Sequence, residues 1–366
     1  MVDPECLTRD WIIKEAKRQG TPPEVLEKCI YALLLVGKLR SAGLDFVFKG
    51  GTSLLLHLDP IRRLSIDVDI ASNEPMDRVT AILDTLKDGD PFLNWSHQDW
   101  RDSENPPTKY FKLTYGSPVL GAEGNIQLDV LVMEAGYEQV EEKRVAPAFL
   151  PVTQEALVRL PSVDCLLGDK LTAFAPSTIG ILYAPVSRKT GEPTEPQPIR
   201  VMKQLFDIGE LFMHAGDLGL VGRTYQAHHA KQNGYRGGRI SLEAALNDSI
   251  DAAYNLALLD LGNKNNESER IGFFRKGVKA LNTHLIGPKL TPITAKTASG
   301  RAALLAMHIL AGNTSSAFDD LRTMPDVKSM ADLNIEGDRR LLQRLRYTNP
   351  EAFYLWYRVV QMEKGK

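Results

Sequence analysis

Two short stretches of this chain bring together residue types that handle phosphate and metal. Gly50-Gly51-Thr52-Ser53 comes after the short strand-like run Asp45-Phe46-Val47-Phe48 and Lys49, and precedes three leucines. Paired glycines let a backbone approach a phosphate closely. Amides at the start of a following helix favour anions, and the Thr52 and Ser53 hydroxyls add donors. Alone, a Gly-Gly step between strand and helix reads as a turn. Further on, Asp67 and Asp69 alternate with Ile66, Val68 and Ile70. Residues two apart in a strand share a face, so the apolar side chains point into a core and the carboxylates stand side by side opposite. Like charges so close repel unless a cation neutralises them. Magnesium accepts carboxylate oxygens and leaves room for substrate phosphates. Two solvated acids on an edge strand would give the same pattern. Asp129, in Ile126-Gln127-Leu128-Asp129-Val130-Leu131, is an isolated acid in an apolar run. Buried and unpaired it would be costly; a metal shared with Asp67 and Asp69 would satisfy it, and so would water. Asp88-Gly89-Asp90 has the same acidic spacing, but its glycine and polar flanks read as a turn.

The elements that must position these groups follow from periodicity. Pro22 and Pro23 open a helix that runs to about Ser41, with Val25, Ile30, Leu33 and Leu34 at helical spacing and Gly43 ending it. A strand at 45–48, the glycine turn, a short helix from Thr52 to Leu58 and a strand from Ser65 to Ala71 come next. A helix from about Pro75 to Lys87 precedes strand-like segments at Phe92–Asp99, Lys109–Tyr115 and Asn125–Met133. This mixture points to a small α/β or α+β domain, placed at 1–156. From Ser162 onward nearly every periodic segment reads as helix, giving a second domain at 157–366. Pro161 and Ser162 open a helix carrying Leu166, Leu167, Lys170, Leu171 and Phe174, which Pro176 stops. Residues 177–198 form a long proline-rich loop, a length that is usually functional or mobile. Further helices are expected at Ile199–His214, Ser241–Leu261, Ser268–Leu285, Thr294–Leu310 and Asp338–Met362.

Composition bounds the function classes. The chain has 366 residues, 43% hydrophobic and 25% charged, and a formal net charge of −2, so no global positive field advertises a nucleic-acid partner. Cys6, Cys29 and Cys165 are scattered and odd in number, which suits a reducing compartment rather than a disulfide framework or zinc site. No apolar run reaches membrane-spanning length and no secretion signal is evident; the expected location is cytoplasmic, with no membrane partner.

The order of these parts resembles the DNA polymerase β-like nucleotidyltransferase fold. More narrowly, Lys49-Gly50-Gly51-Thr52-Ser53 followed by Arg63-Leu64-Ser65-Ile66-Asp67-Val68-Asp69 is similar to the AbiEii/AbiGii nucleotidyltransferase toxin family. Asp169-Lys170-Leu171-Thr172-Ala173-Phe174 resembles that family's lysine-bearing third motif. Arg200-Val201-Met202-Lys203-Gln204-Leu205-Phe206-Asp207-Ile208 resembles its fourth, with Gln204 where an acid commonly follows the lysine. The resemblance spans roughly Phe46 to Phe212. It implies an α+β polymerase β-like domain with a mixed sheet, followed by an all-α C-terminal domain.

It also implies a role for each matched residue. Gly50, Gly51, Thr52, Ser53 and Ser65 would hold the triphosphate of a nucleoside triphosphate. Asp67 and Asp69 would bind Mg2+, with Asp129 a third ligand. Lys170 would neutralise phosphate charge, and Asp207, one helical turn after Lys203, would orient the catalytic face. The reaction would be in-line attack on the α-phosphate with release of pyrophosphate. The family implies transfer to the 3′ end of transfer RNA, inhibiting translation and growth, and a winged-helix antitoxin as partner. Two basic stretches, Arg223, His228, His229, Lys231, Arg236 and Arg239, and Arg339, Arg340, Arg344 and Arg346, fit either phosphate contacts or solvated helix faces. Arg188 and Lys189 in the proline-rich loop fit an acceptor too. A small molecule or a protein hydroxyl as acceptor, or a non-catalytic nucleotide-binding module, are the competing readings.

Overall fold

The computed structural model describes residues 1–87, 91–104, 106–186, 190–262 and 268–365. Asp88-Gly89-Asp90, Arg188 and Lys189 lie outside the described residues. The chain divides into two compact units, Met1–Ser162 with Thr283–Lys289, and Val163–Asn282 with Leu290–Lys366.

The first unit is a mixed sheet backed by helices. Helix α1 (Arg9–Gln19) starts on the Thr8 hydroxyl, which accepts from the Trp11 amide, and ends on Gly20 at φ 66°. This is the usual pairing of a hydroxyl N-cap with a left-handed glycine stop. Helix α2 (Pro23–Ser41) follows the Pro22-Pro23 step. Its face of Leu26, Ile30, Leu33 and Leu34 joins one buried cluster with Phe48, Val68, Ile70, Leu128 and Val130 from the sheet. Strand β1 (Val47–Lys49) leads into a single helical turn, α3 (Gly50–Ser53), and then β2 (Val68–Ala71), α4 (Met76–Lys87), β3 (Phe92–His97), β4 (Ser103–Glu104), β5 (Pro107–Ser117), β6 (Ala122–Leu131), β7 (Val140–Arg144) and β8 (Leu157–Pro161). The strand order is β3-β5-β6-β2-β1-β8-β7, with β4 paired to β5. Pairs β2–β6 and β1–β8 are parallel and the other pairs antiparallel.

Three strands are absent from the periodicity reading, the two-residue β4 among them. Val140–Arg144 is mostly charged, since it is the sheet's outer edge and needs no buried face. Leu157–Pro161 lies inside the sheet unit, with Val158 and Leu160 buried and Leu157 exposed. The strand expected from Ser65 begins only at Val68, and the residues just before it, 62–64, are bonded to the segment Thr283–Lys289. The Leu64 amide donates to the His284 carbonyl and the Ile286 amide to the Arg62 carbonyl. Helical patterning alone carries the helix expected at Ser268–Leu285 into the start of that segment.

The second unit is all helix: α5 (Val163–Ala173), α6 (Pro198–Leu211), α7 (Leu218–Gly234), α8 (Leu242–Ala257), α9 (Glu269–Leu281), α10 (Pro292–Leu310), α11 (Phe318–Arg322), α12 (Leu345–Thr348) and α13 (Pro350–Lys364). The helix expected over Asp338–Met362 is broken at Asn349-Pro350. There Asn349 caps α13 through its side chain, accepting from the Ala352 amide, and Pro350 cannot continue the preceding helix. Among the described residues no helix is long and apolar enough to cross a membrane.

Candidate active site

One line of residues crosses the sheet in register. Lys49 of β1 pairs with Asp69 of β2, Asp69 with Asp129 of β6, and Asp129 with Tyr110 of β5. Directly paired residues share a face. The alternate positions Phe48, Ile70, Val130 and Phe111 are buried on the opposite face, which fixes the line on the outer one. Two carboxylates therefore sit on neighbouring strands, about 4.8 Å apart along the pairing direction, with Lys49 on one flank and Tyr110 on the other. Asp67 precedes β2 and is exposed.

The glycines beside this line are required by close approach. Gly50 has φ +75°, a conformation L side chains rarely adopt, and a Cβ there would fall 2.1 Å from Asp69 Oδ2. The Asp69 carboxylate thus lies over the Gly50 backbone. A Cβ on Gly51 would fall 2.7 Å from an Arg63 guanidinium nitrogen and 3.0 Å from Ser65 Oγ, so the Arg-Leu-Ser segment packs under the second glycine. Thr52 and Ser53 are fully buried. The Thr52 hydroxyl donates to the Asp67 carbonyl and the Ser53 hydroxyl to the Gly50 carbonyl, 2.9 Å. Both hydroxyls, expected as phosphate donors, are directed at main chain instead: Thr52 ties the turn to the acidic strand and Ser53 closes the turn on itself.

Asp129 is where the electrostatics concentrate. Its Oδ1 is buried with no hydrogen-bond partner. Its Oδ2 meets one Arg101 nitrogen at 3.9 Å, too long for a hydrogen bond. Burial pushes its carboxyl up to about 7; Asp69 and Asp67 push in the same direction, against Arg101 and Lys49. Arg101 itself donates to Gln127 Oε1 at 2.6 Å and lies 4.4 Å over the Tyr110 ring. No sequence signal singled out Arg101 or Tyr110; only the β5–β6 register places them beside Asp129.

The residues fit a divalent cation by their chemistry. An orphaned, buried carboxylate oxygen beside a second and a third carboxylate is the kind of hard-oxygen donor set a divalent cation takes. Among the described residues no three such side chains already stand as a formed cluster.

The two motif residues of the helical unit meet one another. Lys170 of α5 and Asp207 of α6 form an ion pair at 3.0 Å, their side chains 8% and 3% exposed. This pairing between helices goes beyond the contact with Lys203 that spacing within α6 suggests. Next to Lys170, Asp169 meets His228 Nδ1 of α7 at 3.1 Å. The basic stretches are largely structural. His228 and His229 are buried, and Arg236 reaches Gln232 and the Gly180 carbonyl. Arg339 is bidentate to Glu363 and stacked on Tyr254 and Trp356. Arg344 donates to the Leu261 carbonyl and Arg346 to those of Ala331 and Leu333. Arg223, Arg239 and Arg340 remain exposed.

The profile of the AbiEii family, described as nucleotidyl transferase AbiEii toxin of type IV toxin–antitoxin systems, matches residues 34–278, well over half of the chain. The chain belongs to the AbiEii family. It is a nucleotidyltransferase of that toxin family, and the matched span contains every motif residue named above. A crystal structure of an H. pylori protein assigned as a nucleotidyltransferase aligns at 15% identity and a TM-score of 0.39, over 81% of this chain and 96% of that one. JHP933 from Helicobacter pylori aligns at 15% identity and a TM-score of 0.42, over 83% and 100%. At that similarity neither bears on the site. No curated protein sequence matches the chain.

Proposed function

We propose that this AbiEii-family chain is a divalent-metal-dependent toxin that transfers a nucleotide from a nucleoside triphosphate to an RNA acceptor, the 3′ end of transfer RNA, in the cytoplasm. The observation that carries the reading is the register of Asp69 against Asp129, with Gly50 stripped of a side chain where the Asp69 carboxylate lies. Asp69, Asp129 and Asp67 would hold Mg2+. When bound, the ion would neutralise phosphate charge and make the acceptor hydroxyl a better nucleophile.

The chain's own residues position the reactants. The Gly50-Gly51 backbone, braced from behind by Thr52, Ser53, Arg63 and Ser65, presents a surface a phosphate can approach. Lys49 adds positive charge on the same flank. The acceptor hydroxyl attacks the α-phosphate and the bond to pyrophosphate breaks. The hydroxyl's proton passes to solvent, and Asp129 serves with Asp69 and Asp67 as an oxygen donor to the ion. Lys170 and Asp207 would contribute through their ion pair, Asp207 holding the lysine in place. A winged-helix antitoxin is the expected partner.

The test offers purified chain, Mg2+ and total transfer RNA with each of the four nucleoside triphosphates, reading label on RNA and pyrophosphate release. Transfer by the wild type and none by Asp69→Ala supports the proposal. Equal transfer by both overturns it. Label appearing on protein or small molecules in cell extract, with none on RNA, would favour the other acceptor classes.

A further inference from the structure

We propose that the Arg101–Tyr110 stack, with Trp100 at its rim, is the acceptor subsite, where the single-stranded 3′ end of an RNA is held. The inference rests on the nucleotidyltransfer reading and names what lies on the far side of the acids. The in-register line has two flanks. Its Lys49 flank carries the glycine turn assigned to the triphosphate. Its Tyr110 flank lies two strand spacings from Asp69, about 10 Å, on the other side of Asp129. An attacking hydroxyl must approach from opposite the leaving pyrophosphate, and that flank lies across the acids from the glycine turn.

The flank and the turn Asp99–Arg101 that reaches it have the groups that bind single strands. Trp100 is 64% exposed, unusual for so large an apolar side chain. Its neighbour Arg101 is planar, permanently charged and laid over the Tyr110 ring at 4.4 Å. Lys112 pairs with Gln127, on the same face and two residues along β5 from Tyr110. Aromatic faces take bases regardless of sequence, and flanking cations take the phosphates.

The platform is also held rigid. Asp102 ties the loop to β5 through Lys109 Nζ at 2.7 Å and to His97 Nε2 at 3.0 Å. The Gln98 amide donates to the Tyr110 carbonyl at 2.7 Å and the Arg101 amide to the Gln98 carbonyl at 2.8 Å. Gln127 fixes the guanidinium at 2.6 Å. Arg101 is therefore not recruited by Asp129, which it meets only at 3.9 Å. It is held beside that carboxylate by its contacts with Gln127 and the Tyr110 ring.

The experiment measures binding of a fluorescein-labelled single-stranded RNA oligonucleotide with a free 3′ hydroxyl to the full chain, without nucleoside triphosphate, by anisotropy over a salt series. Trp100→Ala is expected to weaken binding about tenfold. Trp100→Phe should keep most of the affinity. Arg101→Ala should weaken binding and lower the salt slope by about one, and Arg101→Lys should retain the slope. Thermal midpoints close to wild type establish that the variants are folded. RNA binding unchanged in both alanine variants overturns the proposal. So does weakened binding of non-hydrolysable nucleoside triphosphate analogues with RNA binding intact, because the stack would then hold the incoming base. Failure of the transfer reading registers elsewhere, as absence of pyrophosphate release by the wild type.

Discussion

Asp69 and Asp129 are cross-strand partners on adjacent parallel strands, so one sheet register brings together two acids separated by sixty residues of sequence. The carboxyl of Asp129 is pushed up to about 7, first by burial and then by Asp69. In the unfolded chain it ionises near the ordinary aspartate value, about 3.9. Between those values the folded state binds the extra proton, so stability from this group falls as pH rises and the cost is complete above about pH 7. With metal chelated, Asp129→Asn should raise the thermal midpoint by a few degrees at pH 8 and by less at pH 5. Calorimetry at the two pH values checks this; a midpoint lowered equally at both would mean the carboxylate is not under strain.

Gly50→Ala places a methyl 2.1 Å from Asp69 Oδ2 at a backbone φ of +75°. The backbone strain alone costs about 1–3 kcal/mol, and the acid must move. Circular dichroism should show the fold retained, while nucleotide transfer should fall at least a hundredfold, since small misplacements at the reacting centre are expensive. Near wild-type transfer would show that the close packing of turn on acid is incidental.

Asp207→Ala leaves the Lys170 ammonium buried without the carboxylate 3.0 Å away. Denaturant unfolding should show a loss of about 3–5 kcal/mol. Replacing the pair together by Lys170→Met and Asp207→Leu should recover most of it, because well-packed apolar residues substitute for a buried ion pair at little cost. If the double variant is stable yet fails to transfer nucleotide, the pair works in the chemistry; if it is stable and active, the pair serves the fold alone.

Arg339→Ala should cost about 1.5–3 kcal/mol, the range for hydrogen bonds to charged groups, because it breaks the bidentate contact with Glu363 over the Trp356 ring. It should leave the salt slope of RNA binding unchanged. A lowered slope would restore the C-terminal arginines as phosphate contacts.

Local pattern made the acidic face legible: Asp67 and Asp69 stand out because Val68 and Ile70 alternate with them, and Asp129 because its run has no other charge. It could not report what register and packing add. Glu27 sits within an apolar helix and is 1% exposed, satisfied by Ser117, Tyr115 and the Val119 amide from the β5–β6 hairpin, a partner set distant in sequence. Arg101 and Tyr110 likewise gain meaning only from the pairing of β5 with β6. The hydroxyls of Thr52 and Ser53 look like ligand donors in sequence, since nothing there reveals that two carbonyls already hold them. The basic stretches stay ambiguous for a related reason: a guanidinium on a carbonyl and one on solvent are the same letter.

The central claim is that the Asp69 carboxylate, over the glycine turn and beside Asp129, serves the chemistry and not the fold. Side-by-side measurement of pyrophosphate release from nucleoside triphosphate and transfer RNA by wild type and Asp69→Ala, at matched thermal midpoints, tests it most directly. The account predicts Mg2+-dependent release by the wild type and none above background by the variant. Release by the Asp69→Ala chain at the wild-type rate would contradict it.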